Sequence, residues 1–221
     1  MATYKLISVG KIPSTQSYAH DLIARGNAGN NTVIIADAQT AGRGRFRRTW
    51  VSHHGNLYAS FIYTCDERDA RLAYSVAIAV AETLIAFGIY PNIKWPNDIL
   101  VDAKKIAGIL IEYYSRFVVV GIGINIDDSP TVPEYKTTKM ADFVTVSRED
   151  VLNKLMKNMT KWINAGFSSV RTRWMDMAIG LNKTIKYQGS PAELIGINEN
   201  GALVLRRESK YFLVYGDEIV M

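Results

Sequence analysis

Apolar and polar residues alternate with several different periods along this chain, and each change of period marks an element. Residues 4–9 alternate enough to predict a short strand. Ser14 or Thr15 can cap a helix running to about Arg25, with Tyr18, Leu22 and Ile23 on one side. Gly26, Gly29 and three asparagines stop it. Residues 32–36 are β-branched and apolar, which predicts a buried strand. Residues 39–55 are polar and glycine-rich and carry no period. A strand is predicted over 57–63. Asp69 then caps a helix whose apolar stripe is Leu72, Val76, Val80 and Leu84, ending near Gly88.

The middle of the chain predicts a meander. Residues 93–95 are extended, as Pro96 demands of the residues before it. Residues 99–101 and 106–114 flank a charged turn at 102–105, and 117–126 adds a third antiparallel strand. A proline-containing loop follows at 127–142. Ser147 and Asp150 have capping-box spacing ahead of Val151, Leu152, Leu155, Met156, Met159 and Ile163, an amphipathic helix. Residues 167–177 predict another helix. From Thr184 the runs shorten, to 184–188, 193–197, 202–206, 211–215 and 217–220, separated by Gly189, Gly201 and Gly216. Such a tail predicts a small β-barrel appended to an α/β body.

Composition narrows the classes. With 221 residues, 48% apolar and 21% charged, the chain suits one medium soluble domain with an appendage. A formal net charge of +5 favours anionic partners without choosing among them. One cysteine, Cys65, excludes an intramolecular disulfide. The histidines His20, His53 and His54 lack metal-ligand spacing. No secretory signal opens the chain, and its longest apolar segment, 72–88, is broken by Ser75, Glu82 and Thr83. A cytoplasmic enzyme or binding protein, with no membrane partner, is the expectation.

Three segments carry candidate chemistry. Residues 42–50 hold four arginines and two glycines. Glycine lets backbone approach a ligand closely, and arginine neutralises phosphate oxygens through paired hydrogen bonds. Alone, this stretch reads first as a solvated basic loop or an RNA-binding segment. The run Lys94-Trp95-Pro96-Asn97-Asp98 with Lys104 and Lys105 can place a carboxylate, an amide and a cation together. Alone, it is a hairpin with a charged tip. Gly121 and Gly123 interrupt an apolar strand, which marks close packing or a nearby ligand.

Taken in order, these segments resemble the biotin–protein ligase family. Its pattern reads Gln-x-x-Gly-Arg-Gly-Arg…Trp, Lys-Trp-Pro-Asn-Asp, Lys-x-x-Gly-Ile-Leu-x-Glu and Gly-x-Gly-x-Asn. Here it is supplied by Gln39, Gly42, Arg43, Gly44, Arg45 and Trp50; by the run from Lys94 to Asp98; by Lys105, Gly108, Ile109, Leu110 and Glu112; and by Gly121, Gly123 and Asn125. The resemblance covers residues 8–126 well and the C-terminal strands in general character. It implies a fold of the α/β (α+β) class: a mixed β-sheet with helices, related to class II aminoacyl-tRNA synthetases, then a small SH3-like β-barrel. The expected division is 1–181 for the catalytic domain and 182–221 for the barrel.

The implied reaction joins biotin to ATP as biotinyl-5′-AMP, then transfers biotin to a lysine of a biotin carboxyl carrier protein. Lys105 is implied to bridge carboxylate and α-phosphate. Arg45 and Arg48 hold phosphates, and Asp98 either holds Mg²⁺ or orients Lys105. Ser14, Thr15, Gln39, Gly42 and Arg43 fall in the biotin region, with Arg45 and Lys105 at its carboxylate end and the Gly108 backbone beside the bicycle. Asn56, Asn97 and Asn125 fall in the nucleotide region. Trp50 packs either over the intermediate or in the core. Acetyl-CoA carboxylase or a related enzyme is the expected carrier, and a homodimer the expected assembly. Some family members carry an N-terminal DNA-binding domain; this sequence opens at the catalytic strand, so no operator binding is expected. Departures are Gln16 where the family usually has asparagine, Arg47 where it usually has glycine, and His53 where proline is common. A lipoate–protein ligase is the nearest rival. A basic nucleic-acid-binding module and a catalytically dead scaffold are rivals of other classes.

Overall fold

The computed structural model describes residues 3–215. A seven-stranded mixed sheet forms the body, in the order β1-β2-β3-β7-β6-β5-β4. Its strands are β1 (Lys5–Ile12), β2 (Thr32–Gln39), β3 (Leu57–Thr64), β4 (Asn92–Lys94), β5 (Asp98–Val101), β6 (Lys104–Tyr114) and β7 (Phe117–Ile124). Only β1 and β2 run parallel, and helix α1 (Thr15–Ala24) connects them. The remaining pairs are antiparallel.

Period-two alternation sorts the sheet into two faces. Leu57, Ala59 and Phe61 of β3 and Val118, Val120 and Ile122 of β7 join the main core with helices α2 (Leu72–Ile85) and α3 (Arg148–Ile163). Ile62 and Val119, one step out of phase, pack under Ala19 and Ile23 of α1. By the same alternation Ser60, Gly121, Gly123, Gly108 and Leu110 share the α1 face. Helix α1 packs on β2, β3 and β7. The glycines of β6 and β7 form a floor beside it, over which the side chains of Trp50 and Gln16 lie.

Capping chemistry sets several boundaries. Ser14 has extended backbone and its hydroxyl accepts from Ser17 N, so α1 starts at Thr15. Ser147 Oγ accepts from Asp150 N at 3.0 Å and caps α3. The Asp150 carboxylate accepts from the Ser147 hydroxyl at 2.6 Å. Asp69 does not cap α2: its Oδ1 takes Arg71 N at 2.8 Å, forming a turn before the helix begins at Leu72. The 102–105 turn is tighter than the charge pattern suggests. Asp102 and Ala103 have φ of 49° and 60°, so β6 starts at Lys104. Strand β7 stops at Ile124, before the expected end at residue 126, because Asn56 Oδ1 captures Ile126 N at 2.7 Å.

After helix α4 (Phe167–Met177), strands β8 (Thr184–Tyr187), β9 (Ser190–Ile197), β10 (Leu203–Arg207) and β11 (Lys210–Val214) form a separate antiparallel sheet in the order β11-β10-β9-β8. Gly216 and the run expected at 217–220 lie outside the described residues. The small sheet shares the main core, where Ile185, Leu194 and Leu205 cluster with Trp174 and Met177 of α4. Among the described residues, no helix is long and apolar enough to cross a membrane.

Candidate active site

A cleft of about 740 Å³ opens over the glycine floor. Its walls are the start of α1, the arginine loop between β2 and β3, the β4–β5 turn, and the segment after β7. The loop is a hairpin tip closed at its base by the Gln39–Ser52 bridge and, further out, by Arg43–Thr49. Gly42 lies at that base, where any Cβ would collide with the Trp50 carbonyl and stand 2.6 Å from Ser52 Oγ.

One end of the cleft is neutral and hydrogen-bonded throughout. Ser60 Oγ donates to Thr15 Oγ1 or Gln16 Oε1, each 2.9 Å away. Thr15 Oγ1 donates to Gln39 Oε1 at 3.2 Å, and Thr15 N reaches the same atom at 2.8 Å. Gln39 Nε2 donates to Ser52 Oγ at 2.9 Å, and Ser52 Oγ donates to the Trp50 carbonyl at 2.9 Å. Gln16 Nε2 reaches Val119 O at 3.1 Å. Its Oε1 fills the space above Gly121, where a Cβ would stand 2.8 Å away. Ser14, Thr15, Gln16, Ser52 and Ser60 are all buried.

The other end is charged. Lys105 Nζ lies 2.7 Å from Asp98 Oδ1, with the Lys105 side chain 12% exposed. The Trp50 and Tyr135 ring centroids stand 5.3 Å and 4.8 Å from Nζ. Burial, with Asp98 and Glu134 nearby, pushes the Tyr135 phenol up and keeps it neutral. Arg45 Nη1 reaches Asn97 Oδ1 at 3.5 Å, while Asn97 Nδ2 donates to Ile109 O at 3.0 Å. The guanidinium carbons of Arg45 and Arg48 lie 4.8 Å and 5.9 Å from the Phe46 ring. Phe46 and Arg47 at the loop tip have φ of 53° and 60°, a left-handed conformation that favours glycine. Arg47 therefore stands where a glycine would be less strained.

A sequence model of the biotin/lipoate A/B protein ligase family matches residues 9–127. The chain belongs to that family. The bifunctional ligase/repressor BirA of Bacillus spizizenii is 33% identical over 238 residues, covering 97% of this chain and 73% of that protein. The biotin–[acetyl-CoA-carboxylase] ligase of Mycobacterium tuberculosis is 27% identical, covering 95% and 87%. The solved structure of the biotin protein ligase from Aquifex aeolicus in complex with biotin and ATP matches with a TM-score of 0.85. It is 27% identical and covers 97% of each chain.

The family's segments converge in this fold because their strands are neighbours. Asp98 of β5 pairs with Gly108 of β6, which pairs with Gly123 of β7. Ser14, Thr15, Gln39, Arg43, Arg45, Arg48, Trp50, Asn97, Asp98, Lys105 and Gly108 all line the cleft. Arg43 is also tied outward, its Nη2 2.7 Å from Glu112 Oε2, which lies 3.4 Å from His20 Nε2. The space over Gly108 and Gly123 is filled by the Trp50 indole, at 2.7 Å and 2.5 Å from a Cβ built on each. Trp50 Nε1 is buried and has no hydrogen-bond partner among the described residues.

Gly42, Asn56 and Asn125 are not among the lining residues. Asn56 Oδ1 accepts from Ile126 N, Asp127 N and Asp128 N, and its Nδ2 donates to Asp128 O at 2.9 Å. Asn125 Nδ2 donates to Thr138 O at 3.0 Å, leaving Oδ1 buried without a partner among the described residues. Both fix the segment that follows β7. Sequence reasoning missed Gln16 as a wall residue, Ser52, Ser60 and Tyr135.

Proposed function

We propose that this chain is an ATP-dependent biotin–protein ligase. The observation that carries the proposal is the cleft's division around Lys105, with neutral hydrogen-bonding groups on one side and arginines on the other. Biotin has a neutral ureido bicycle and an anionic tail, so it fits with its head among Ser14, Thr15 and Gln39 and its carboxylate at Lys105. ATP fits with its phosphates among Arg45, Arg48 and Lys105. Trp50 covers the joined intermediate, which requires its indole to leave the glycine floor.

A carboxylate oxygen of biotin then attacks the α-phosphorus, and the bond to pyrophosphate breaks. Two unit charges about 4 Å apart repel by roughly 4 kcal/mol at an effective dielectric of 20, so fixed cations must meet them there. Lys105 is the cation at that point, and Asp98 orients it. Magnesium takes one or two carboxylates together with substrate phosphates. Asp98 and Glu134 line this cleft and suit an ion arriving with the nucleotide. Mg²⁺ would neutralise phosphate charge there. In the second step the amine of a carrier lysine attacks the mixed anhydride carbonyl, giving an amide and AMP.

The carrier is a biotin carboxyl carrier protein of acetyl-CoA carboxylase or a related carboxylase, in the cytoplasm. The catalytic domain ends near residue 181 and the C-terminal domain follows; the gap between α4 and β8 supports that division. A homodimer through the β1 edge, where Leu6 is exposed, completes the reading. Exchange of labelled pyrophosphate into ATP tests the function. Exchange with biotin alone is expected; exchange with lipoate alone, or with neither, overturns it.

A further inference from the structure

Three separate parts of the chain meet at the Lys105 ammonium. Strand β5 brings Asp98 to 2.7 Å of Nζ. The arginine loop brings the Trp50 ring, and the segment after β7 brings the Tyr135 ring, the nearer of the two at 4.8 Å. That segment has no period or motif in the sequence. Its place is set by backbone pairing with Lys105 itself. Lys105 N donates to Lys136 O at 2.8 Å, and Thr138 N donates to Lys105 O at 3.0 Å. Thr137 Oγ1 closes the turn by donating to Pro130 O at 2.7 Å. Tyr135 is thus held beside the residue whose side chain its ring faces.

A lysine ammonium offers three N–H donors on a flexible stem, and immobilising that stem costs conformational entropy. Asp98 takes one donor. A second carboxylate would take another and cancel the charge that two substrate anions need. An aromatic face attracts a cation within about 6 Å while leaving its charge intact. It restricts Nζ and leaves N–H groups for incoming oxygens.

We propose that Tyr135 is a positioning residue for the adenylation step, its ring face holding the Lys105 ammonium between Asp98 and the substrate anions. This rests on the role given to Lys105 above. A space-filling role would accept any apolar side chain of similar volume; this one requires a ring with an electron-rich face.

The test uses the full chain with Tyr135→Phe, Tyr135→Leu, and phenylalanines carrying one, two or three ring fluorines at position 135. Biotin-dependent pyrophosphate exchange gives kcat and KM. Ring-current shifts of the Lys105 ε-methylene are read in ¹³C-lysine-labelled protein without substrates. Tyr135→Phe should keep kcat within about twofold. Tyr135→Leu should lose about three- to tenfold in kcat with KM for biotin unchanged, and fluorination should lower kcat stepwise. The Lys105 resonance should lie upfield in the wild type and move back in Tyr135→Leu. A flat fluorination series, or Leu as good as Phe, overturns the proposal. Phe as poor as Leu also overturns it, because the hydroxyl would then be the active group. A wild type without exchange overturns the ligase reading instead. In that case an unshifted Lys105 resonance overturns the ring contact as well, and a shifted one retains it.

Discussion

The two ends of the cleft are built on opposite principles. The neutral end is a chain of hydroxyls and amides, Ser60 to Thr15 to Gln39 to Ser52, anchored on α1, β2 and β3 and finished before any ligand arrives. The charged end joins Asp98 and Lys105, at the starts of β5 and β6, to two irregular segments, with its cations set against rings and, at Lys105, against Asp98. Rigid neutral groups suit recognition of an uncharged head, since buried polar groups discriminate by what they leave unpaired. Arginines carried on a loop suit a reaction that must admit a nucleotide, enclose an anhydride and then expose it. The chain therefore separates the group that is recognised from the group that reacts.

Substitutions at each end should fail differently. Lys105→Ala should lower biotin-dependent pyrophosphate exchange about 100-fold or more while far-UV circular dichroism stays unchanged. A loss appearing mainly in KM for biotin would break the division. Thr15→Val removes the donor to Gln39 Oε1 and the acceptor for Ser60. It should raise KM for biotin about thirtyfold and leave KM for ATP within about twofold.

Two changes outside the cleft serve as controls. Burial alone would raise the Glu82 carboxyl, but hydrogen bonds from Lys161, Trp162 and Arg173 outweigh it and hold it below the ordinary carboxylate range. A depressed carboxyl stabilises the fold above its unfolded value of about 4.3, and that contribution disappears as pH falls through the folded value. Glu82→Gln should therefore cost about 1.5 kcal/mol by urea denaturation at pH 7 and much less near pH 3. An equal cost at both pH values would remove the ionised carboxylate from the account. Ser147→Ala deletes the α3 cap and should cost about 1 kcal/mol by the same measurement. Both kinetic constants should stay at wild-type values in each variant, since neither residue lines the cleft.

Periodicity made most of the fold legible. Strands β3 and β7 are legible as near-continuous apolar runs because helices cover both their faces. The boundaries that moved were set by single side chains: Asp69 turning onto Arg71 N, and Asn56 seizing Ile126 N. The charged residues were legible only as an ordered set. Asp98 and Lys105 share one hairpin, but the arginines lie about 50 positions earlier, and the pairing of β3 with β7 and of β7 with β6 brings them together. Ser60 was invisible because an isolated hydroxyl in an apolar strand looks like packing, and Ser52 because one serine in a polar loop does not stand out from its neighbours. Tyr135 was invisible because its position follows from backbone bonds to a residue about 30 positions earlier. Asn56 and Asn125 drew attention as polar groups within a familiar pattern, yet most of their hydrogen-bonding capacity goes to backbone.

One cleft that holds vitamin and nucleotide side by side is the central claim. A non-hydrolysable biotinyl-adenylate analogue, titrated by calorimetry into the full chain, addresses it directly. The account predicts one analogue per chain, with prior saturation by either biotin or ATP weakening its binding. An analogue whose affinity responds to only one of the two substrates would contradict it.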